Sequence, residues 1–503
     1  MRPDYDVLIR NAQVLDGSGN PWFAADIAIS ADRVVAVGAL PGAKAPRVID
    51  AQGLTVAPGF IDVHSHAAGG LAGALNTATP LLAQGVTTVL VNPDGGGPVD
   101  LVAQRTVLES KGVGVNVAQF VGHGSVRNAV LAMADRGPSA AELDRMRALV
   151  RAGMEAGAVG LSSGLYYAPG SYASTEEVIA LAQVAAESGG VYSSHIRDEA
   201  DYTVGVVAAV DEVIRVAAEA HIRGVVSHMK ALGPKQWGLA KTLVEHIEQA
   251  RARGVQVYAD QYPYEASGTG LSAALVPRWA QEGGRARFLE RLAGSDRERI
   301  TTAIRENLDR RGGATTLVVS SYGPDRSLDG LSLAEIATAR GLDPVALVVS
   351  LLEHGDGGLV SFNMSEGDIA DIMRQPWTMT CSDGDLTAPG DGKPHPRGYG
   401  AFARKLAVYS RERGVVGLAD AVRSMTSLPA QVFGLKDRGV IRRGARADLV
   451  IFDPETVRDT ATYASPQQLA EGMRYVLVNG VIVVDAAAPT GATPGRLLTS
   501  ERR

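Results

Sequence analysis

Phe60-Ile61-Asp62-Val63-His64-Ser65-His66 is the stretch from which the rest of the chain can be read. A short apolar run of strand character leads into two histidines two residues apart. Side chains alternate along a strand with period two, so the imidazoles of His64 and His66 project on the same face. Two such imidazoles at a strand end suit a divalent cation, whereas two solvent-exposed loop histidines are the competing reading. Further residues at the same kind of address tip the balance. His195 closes Val191-Tyr192-Ser193-Ser194 and His228 closes Gly224-Val225-Val226-Ser227, so four of the nine histidines sit at strand ends. His221, His246 and His354 fall elsewhere and read as surface or packing residues. Asp383 follows the apolar Trp377-Thr378-Met379 in Thr380-Cys381-Ser382-Asp383-Gly384. A carboxylate there can ligate a metal and serve as general base, or it can simply belong to an Asp-Gly turn. Asp94, in Asn92-Pro93-Asp94-Gly95, has the weaker local signal of an ordinary turn, and only its place after the strand Thr87-Thr88-Val89-Leu90-Val91 commends it.

Outward from these strand ends, short apolar runs alternate with longer helical patterns. Thr87 to Val91 is a strand, Ser174 to Ser188 a helix with Ser174 as N-cap and Glu177 three residues on, and Gly190 to Ser194 a strand again. Such alternation predicts a parallel sheet, and at this length a (β/α)8 TIM barrel, here spanning 58–429. Between about 279 and 343 the pattern becomes charged and helical around one isolated strand, Leu317-Val318-Val319-Ser320, which reads as an insertion. Alternating strands recur only near the two ends, at Val7-Leu8-Ile9-Arg10, Asp26 to Ile29 and Arg33 to Val37, then at Asp448 to Phe452 and Tyr475 to Val484. These predict one small β-sandwich domain assembled from 1–57 and 430–485. The Ala-, Pro-, Gly- and Thr-rich 486–503 is expected to be a mobile tail.

Composition narrows the function classes. Of 503 residues 46% are hydrophobic and 21% charged, with a net charge of −6, which leaves no basic field for nucleic acid. No run of about 18 apolar residues marks a membrane span or signal sequence. The single cysteine, Cys381, excludes an internal disulfide and fits a reducing compartment, so a cytoplasmic location is expected. Cys381 lies within an apolar strand and reads as a buried small residue rather than a nucleophile. Candidates for substrate contact are Lys230, Arg397, Tyr167 and Tyr262, each of which is otherwise a surface charge or a packing ring.

Taken together, the chain resembles the amidohydrolase superfamily and, within it, the N-acyl-D-amino-acid deacylases (D-aminoacylases). The likeness runs through Ala57-Pro58-Gly59-Phe60-Ile61-Asp62-Val63-His64-Ser65-His66, Gly164-Leu165-Tyr166-Tyr167-Ala168-Pro169-Gly170, Ser194-His195-Ile196-Arg197-Asp198-Glu199, Ser227-His228-Met229-Lys230, Tyr262-Pro263-Tyr264, Ser382-Asp383-Gly384 and Pro394-His395-Pro396-Arg397. That resemblance implies a distorted barrel with an added β-sandwich, and zinc as cofactor. It assigns His195 and His228 to the principal metal, His64 and His66 to a second position, Asp383 to catalysis and Lys230 to the substrate. The family carries a cysteine where this chain has Asp94. Oxygen is a harder ligand than thiolate, so manganese or cobalt would also serve, with one or two ions bound.

The reaction implied is hydrolysis of an N-acyl-D-amino acid, a small-molecule substrate, with Arg397, Lys230 and Tyr167 or Tyr262 gripping its α-carboxylate. D-selectivity comes from the resemblance alone. Two alternatives stand beside it: a cyclic amidase of dihydropyrimidinase or dihydroorotase type, and a barrel that has lost catalysis and serves as a scaffold. Against the first stands the lack of a lysine at a strand end between Asp94 and His195; against the second, retention of the whole His and Asp set.

Overall fold

The computed structural model describes residues 4–499. Its centre is an eight-stranded parallel sheet whose strands follow one another in chain order. They are Phe60–Asp62, Val86–Val91, Asn116–Gly122, Gly160–Gly164, Val191–His195, Arg223–Val226, Val257–Gln261 and Thr378–Thr380. The first and eighth meet only beyond their ends, where Ser65 bridges Gly384. There Asp383 N–H donates to the His64 carbonyl at 2.9 Å and His66 N–H to that of Gly384 at 3.0 Å. The barrel is thus closed at its C-terminal rim, by the residues that carry the predicted chemistry. Strands covered on both sides have no solvent face, which is why Val86–Val91 and Asn116–Gly122 are buried throughout. Helices such as Thr175–Glu187 and Val206–Glu219 cover the outside; the latter buries Val206, Val210, Val213 and Ala217 at helical spacing.

The two chain ends form a separate nine-stranded sheet. Thr55–Pro58 joins them, pairing parallel with Val7–Val14 and antiparallel with Leu449–Phe452. This sheet encloses its own core of Ile9, Ile27, Val34, Ile451 and Leu477.

Two expectations need correction. Leu317–Tyr322 is not isolated: it pairs antiparallel with Gly357–Phe362, which pairs in turn with Ala266–Gly270. The inserted layer therefore begins well before 279 and extends past 343. Its partner strands are rich in Gly, Ser and Thr, and a side-chain pattern cannot announce strands that have so little side chain. Nor is the stretch after Asp485 loose. Val117 N–H donates to the Arg496 carbonyl at 2.9 Å and Leu498 N–H to that of Val117 at 2.7 Å, while Asn479 Nδ2 holds the Pro494 carbonyl at 2.9 Å. Backbone pairing and the packing of Leu497 and Leu498 order a segment whose composition hides both. Residues 1–3 of the expected sandwich and 500–503 of the expected tail lie outside the described residues. Among those described, no helix is long and apolar enough to cross a membrane.

Candidate metal centre and active site

At the C-terminal rim, His64, Asp94, His228 and Asp383 bring one ligand atom each to within 4.8 Å of one another, and His195, Glu199 and His228 form a further group of the same kind. Asp94 is the hub. Its Oδ1 lies 3.3 Å from His64 Nε2, 3.5 Å from His228 Nε2 and 3.9 Å from His195 Nδ1; its Oδ2 lies 3.5 Å from His66 Nε2. Asp383 Oδ1 stands 3.2 Å from His66 Nε2 and 3.5 Å from His64 Nε2.

The backbone is bent to make this possible. Asn92, Asp94, His228 and Asp383 all have positive φ, between 35° and 65°. Each such non-glycine residue costs about 1–3 kcal/mol, and such strain gathers at functional sites. Close backbone approach holds the Asp94 loop. A side chain on Gly122 would put its Cβ 2.1 Å from the Gly96 carbonyl, and one on Gly164 would sit 2.2 Å from that of Asp94. Ser162 Oγ accepts from Gly95 N–H at 3.1 Å and donates to the Asn92 carbonyl at 2.7 Å.

Charge is arranged so that the carboxylates stay ionised despite their burial. Burial pushes the Asp94 carboxyl up, but His64, His228 and His66 beside it hold it well below its ordinary value. Burial likewise opposes the ionisation of Asp383 and Glu199; Arg397 and the neighbouring histidines for Asp383, and Lys230 and His195 for Glu199, bring both below the usual range. Burial drives His195 down to about 3, leaving a neutral imidazole. His228 is pushed up to about 9: burial and Lys230 oppose its protonation, but Asp383, Asp94 and Glu199 outweigh them. Behind the rim, burial raises Asp62 to about 6 even though Ser382 donates its N–H at 2.9 Å and its hydroxyl at 2.5 Å.

The donor set fits a divalent cation. Both ring nitrogens of His64, both of His195 and Oδ1 of Asp94 are buried without a hydrogen-bond partner. Each unsatisfied group costs about 1–3 kcal/mol, and three of them, His64 Nε2, His195 Nδ1 and Asp94 Oδ1, lie close together, where a cation would satisfy them at once. Every donor is nitrogen or oxygen.

The residues expected to bind metal, His64, His66, Asp94, His195 and His228, meet at this rim with Asp383, the expected catalytic carboxylate. His66, Asp94, His195, His228 and Asp383 face a cavity of about 590 Å³, together with Lys230, Arg397, Tyr167 and Tyr262. Arg397 Nη1 donates to Asp383 Oδ2 at 2.5 Å, and its guanidinium lies 4.7 Å from the centre of the Tyr262 ring. Lys230 Nζ is 2.5 Å from Glu199 Oε1 and 2.7 Å from His228 Nδ1, so its ammonium is engaged with protein groups. Tyr167 packs on His195, ring centres 4.6 Å apart. Cys381 is buried, and burial and Asp260 push its thiol well up, consistent with an inert residue. Sequence reasoning missed Glu199, which belongs to the ligand group around His195. Its signal was a carboxylate four residues beyond a strand-end histidine.

The amidohydrolase family model matches residues 47–484. The chain belongs to the amidohydrolase family. Within the family it is 37% identical to N-acyl-D-glutamate deacylase of Alcaligenes xylosoxydans xylosoxydans, over 99% of this chain and 97% of that protein. It is 34% identical to D-aminoacylase of the same organism, over 98% and 97%. Among solved structures it superposes on N-acyl-D-glutamate deacylase from Bordetella bronchiseptica with a TM-score of 0.85 and 34% identity, over 98% of this chain and 99% of that one. That structure contains zinc and a phosphonate inhibitor that mimics the tetrahedral intermediate. The nearly closed barrel with a separate sheet built from the chain ends is common to both.

Proposed function

We propose that this protein hydrolyses the amide bond of N-acyl-D-amino acids, releasing a carboxylate and a free D-amino acid, at a zinc-dependent site on the barrel rim. The observation that carries the reading is the gathering of His64, Asp94, His195, His228 and Asp383 at one rim, with ring nitrogens of His64 and His195 and Oδ1 of Asp94 buried and unpartnered. It occurs in a chain that aligns end to end with deacylases of D-amino acids. His195, His228 and Asp94 would hold the principal ion and His64 and His66 a second. A purely nitrogen and oxygen donor set also accommodates manganese or cobalt. Bound there, a divalent cation acts as Lewis acid toward the scissile carbonyl and makes water more acidic.

The protein's own groups supply the rest. Asp383, ionised and within 3.5 Å of His64 and His66, accepts a proton as the water oxygen forms its bond to the acyl carbon. As the C–N bond breaks, it passes that proton to the nitrogen, which leaves as an amine rather than as an amide anion. Arg397 orients Asp383 with one arm of its guanidinium, and the remaining donors, beside Tyr262, suit the α-carboxylate of the substrate. Lys230 and Tyr167 complete that wall of the cavity. Fixing carboxylate, carbonyl and side chain at three points is what selects one enantiomer.

Release of free amino acid from matched N-acetyl-D and N-acetyl-L substrates tests the proposal. It expects turnover of D substrates only. Cleavage of neither, or turnover of a hydantoin or dihydropyrimidine instead, would overturn it.

A further inference from the structure

On the far side of the Asp94 loop lies a second cavity, of about 410 Å³, that the chemistry described so far leaves unused. Its walls come from segments that follow the second, third and fourth barrel strands: the loop from Asp94 to Gly96, the helix His123–Leu131 with Met133 beyond it, and the turn that ends at Gly170. Asp94, Gly96 and Tyr167 face both this cavity and the one that holds the metal ligands, so the two adjoin across a single layer of residues. Among the described residues that line the second cavity, only Asp94, at that seam, is charged. The deeper wall is glycine backbone with Met133, Ala168 and Pro169, and the Ser125 hydroxyl there is already committed, donating to the Gly97 carbonyl at 2.5 Å. Such a wall suits an apolar group and offers nothing to an ionic one. Gly96 leaves the seam open. Its neighbours are glycines for backbone reasons: Gly95 and Gly97 have φ of +71° and +91°, and a Cβ on them would stand 2.9 Å from Gly124 N and 2.4 Å from Asn92 Cγ. Gly96 has neither constraint. Its φ lies outside the positive region, and a Cβ there would meet only the Pro93 carbonyl, at 3.3 Å. The space in front of Gly96 is thus free of protein at the place where the two cavities adjoin.

A substrate laid across the rim reaches that seam. Lys230, Tyr262 and Arg397 follow the sixth, seventh and eighth barrel strands, and the strands succeed one another around the barrel in chain order. The second, third and fourth strands therefore stand across the barrel from them. In an N-acyl amino acid the scissile carbonyl joins the amino-acid half to the acyl chain. With the α-carboxylate at Arg397 and the carbonyl at the metal ligands, the acyl chain runs on past Asp94 toward Gly96. We propose that the cavity beyond the Asp94 loop binds this chain, so that the preferred substrates carry uncharged alkyl acyl groups longer than acetyl. This rests on the deacylase reading and adds to it a site for the half of the substrate that leaves as the carboxylic acid.

The test measures kcat and KM for the N-acetyl, N-butanoyl and N-hexanoyl derivatives of whichever D-amino acid is released fastest from its N-acetyl form. Full burial of a methylene is worth about fourfold, so in a cavity open on one side the longer chain of hexanoyl is expected to raise kcat/KM over acetyl by about tenfold or more. The gain should appear as a lower KM at similar kcat, because the chain is held alike in the ground and transition states. Gly96→Leu fills the seam, and Asn128→Trp narrows the cavity from its exposed helical side. In both, the ratio of hexanoyl to acetyl falls to within about threefold. An unaltered protein whose kcat/KM does not rise with chain length overturns the proposal and leaves the deacylase reading intact. So does a rise that survives both substitutions, even where overall activity drops, since the chain then lies elsewhere. If no N-acyl-D-amino acid is cleaved, the deacylase reading fails and calorimetry of acetate and hexanoate with the zinc-loaded protein decides the cavity. Tighter binding of hexanoate, lost in Gly96→Leu, supports the site; equal binding overturns it.

Discussion

Asp383 is ionised despite burial, lies within reach of His64 and His66, and is paired with Arg397, and on these three relationships rests the proposal that it carries the proton. Replacing it with Asn preserves size and one acceptor oxygen but removes the proton acceptor. Asp383→Asn is expected to lower kcat by about 10²–10⁴-fold, the usual contribution of a positioned acid–base group. Metal content measured by elemental analysis should remain at one equivalent or more, since His195, His228 and Asp94 are untouched. A near-normal rate would refute the role of Asp383, whereas loss of all metal would make it primarily a ligand. At this scale the strand-end histidines were legible because an apolar run with period two marks both the strand and the face on which its last residues project. Glu199 and Asp62 were not. Glu199 lies in an aperiodic loop beyond its strand. Asp62 reads as an interruption of an apolar strand until Ser382 is seen donating to it from the other end of the barrel.

Elements explain what single residues cannot. The last barrel strand, Thr378–Thr380, is backed by the helical turn Lys405–Glu412, and the contact is polar: Lys405 Nζ donates to Thr380 Oγ1 and Ser424 Oγ, each at 2.8 Å, with no carboxylate opposite. Burial lowers this ammonium from 10.5 to about 7, and Cys381 opposes the shift only weakly. The folded protein then sheds the proton near pH 7, while the unfolded chain keeps it until about 10.5. Below pH 7 the buried charge destabilises the fold in full, by about a few kcal/mol, and stability is regained as pH rises through that window. Lys405→Met should therefore raise Tm most below pH 7, with the gain over the unaltered protein shrinking as pH rises from 7 toward 10 in thermal unfolding. A gain that does not change with pH would contradict this. The same scale shows where sequence patterns fail. The strand Ala266–Gly270 and the start of Gly357–Phe362 have too few large side chains to display a period, so Leu317–Tyr322 reads as solitary in the sequence although it is the edge of a three-stranded sheet.

For the whole molecule, the chain ends and the insertion add two further sheets to the parallel barrel. The barrel and the sheet made from both ends were readable, because each rests on repeated local pattern. The docking of 494–498 onto the third barrel strand depends on contacts between segments far apart in sequence. No local pattern encodes these. The rim closure through Ser65 and Gly384 has the same long-range character, and it sets the spacing of His64, His66 and Asp383. All of this organisation converges on one claim, that the nitrogen and oxygen donors at the rim hold a cation on which hydrolysis depends. The most direct measurement is to strip the protein with chelator, titrate zinc back, and follow both bound metal and release of D-amino acid from an N-acetyl-D-amino acid. The account predicts no turnover in the stripped protein and activity that rises with the first equivalent of zinc bound. Full activity without metal, or stoichiometric zinc binding with no hydrolysis, would contradict it.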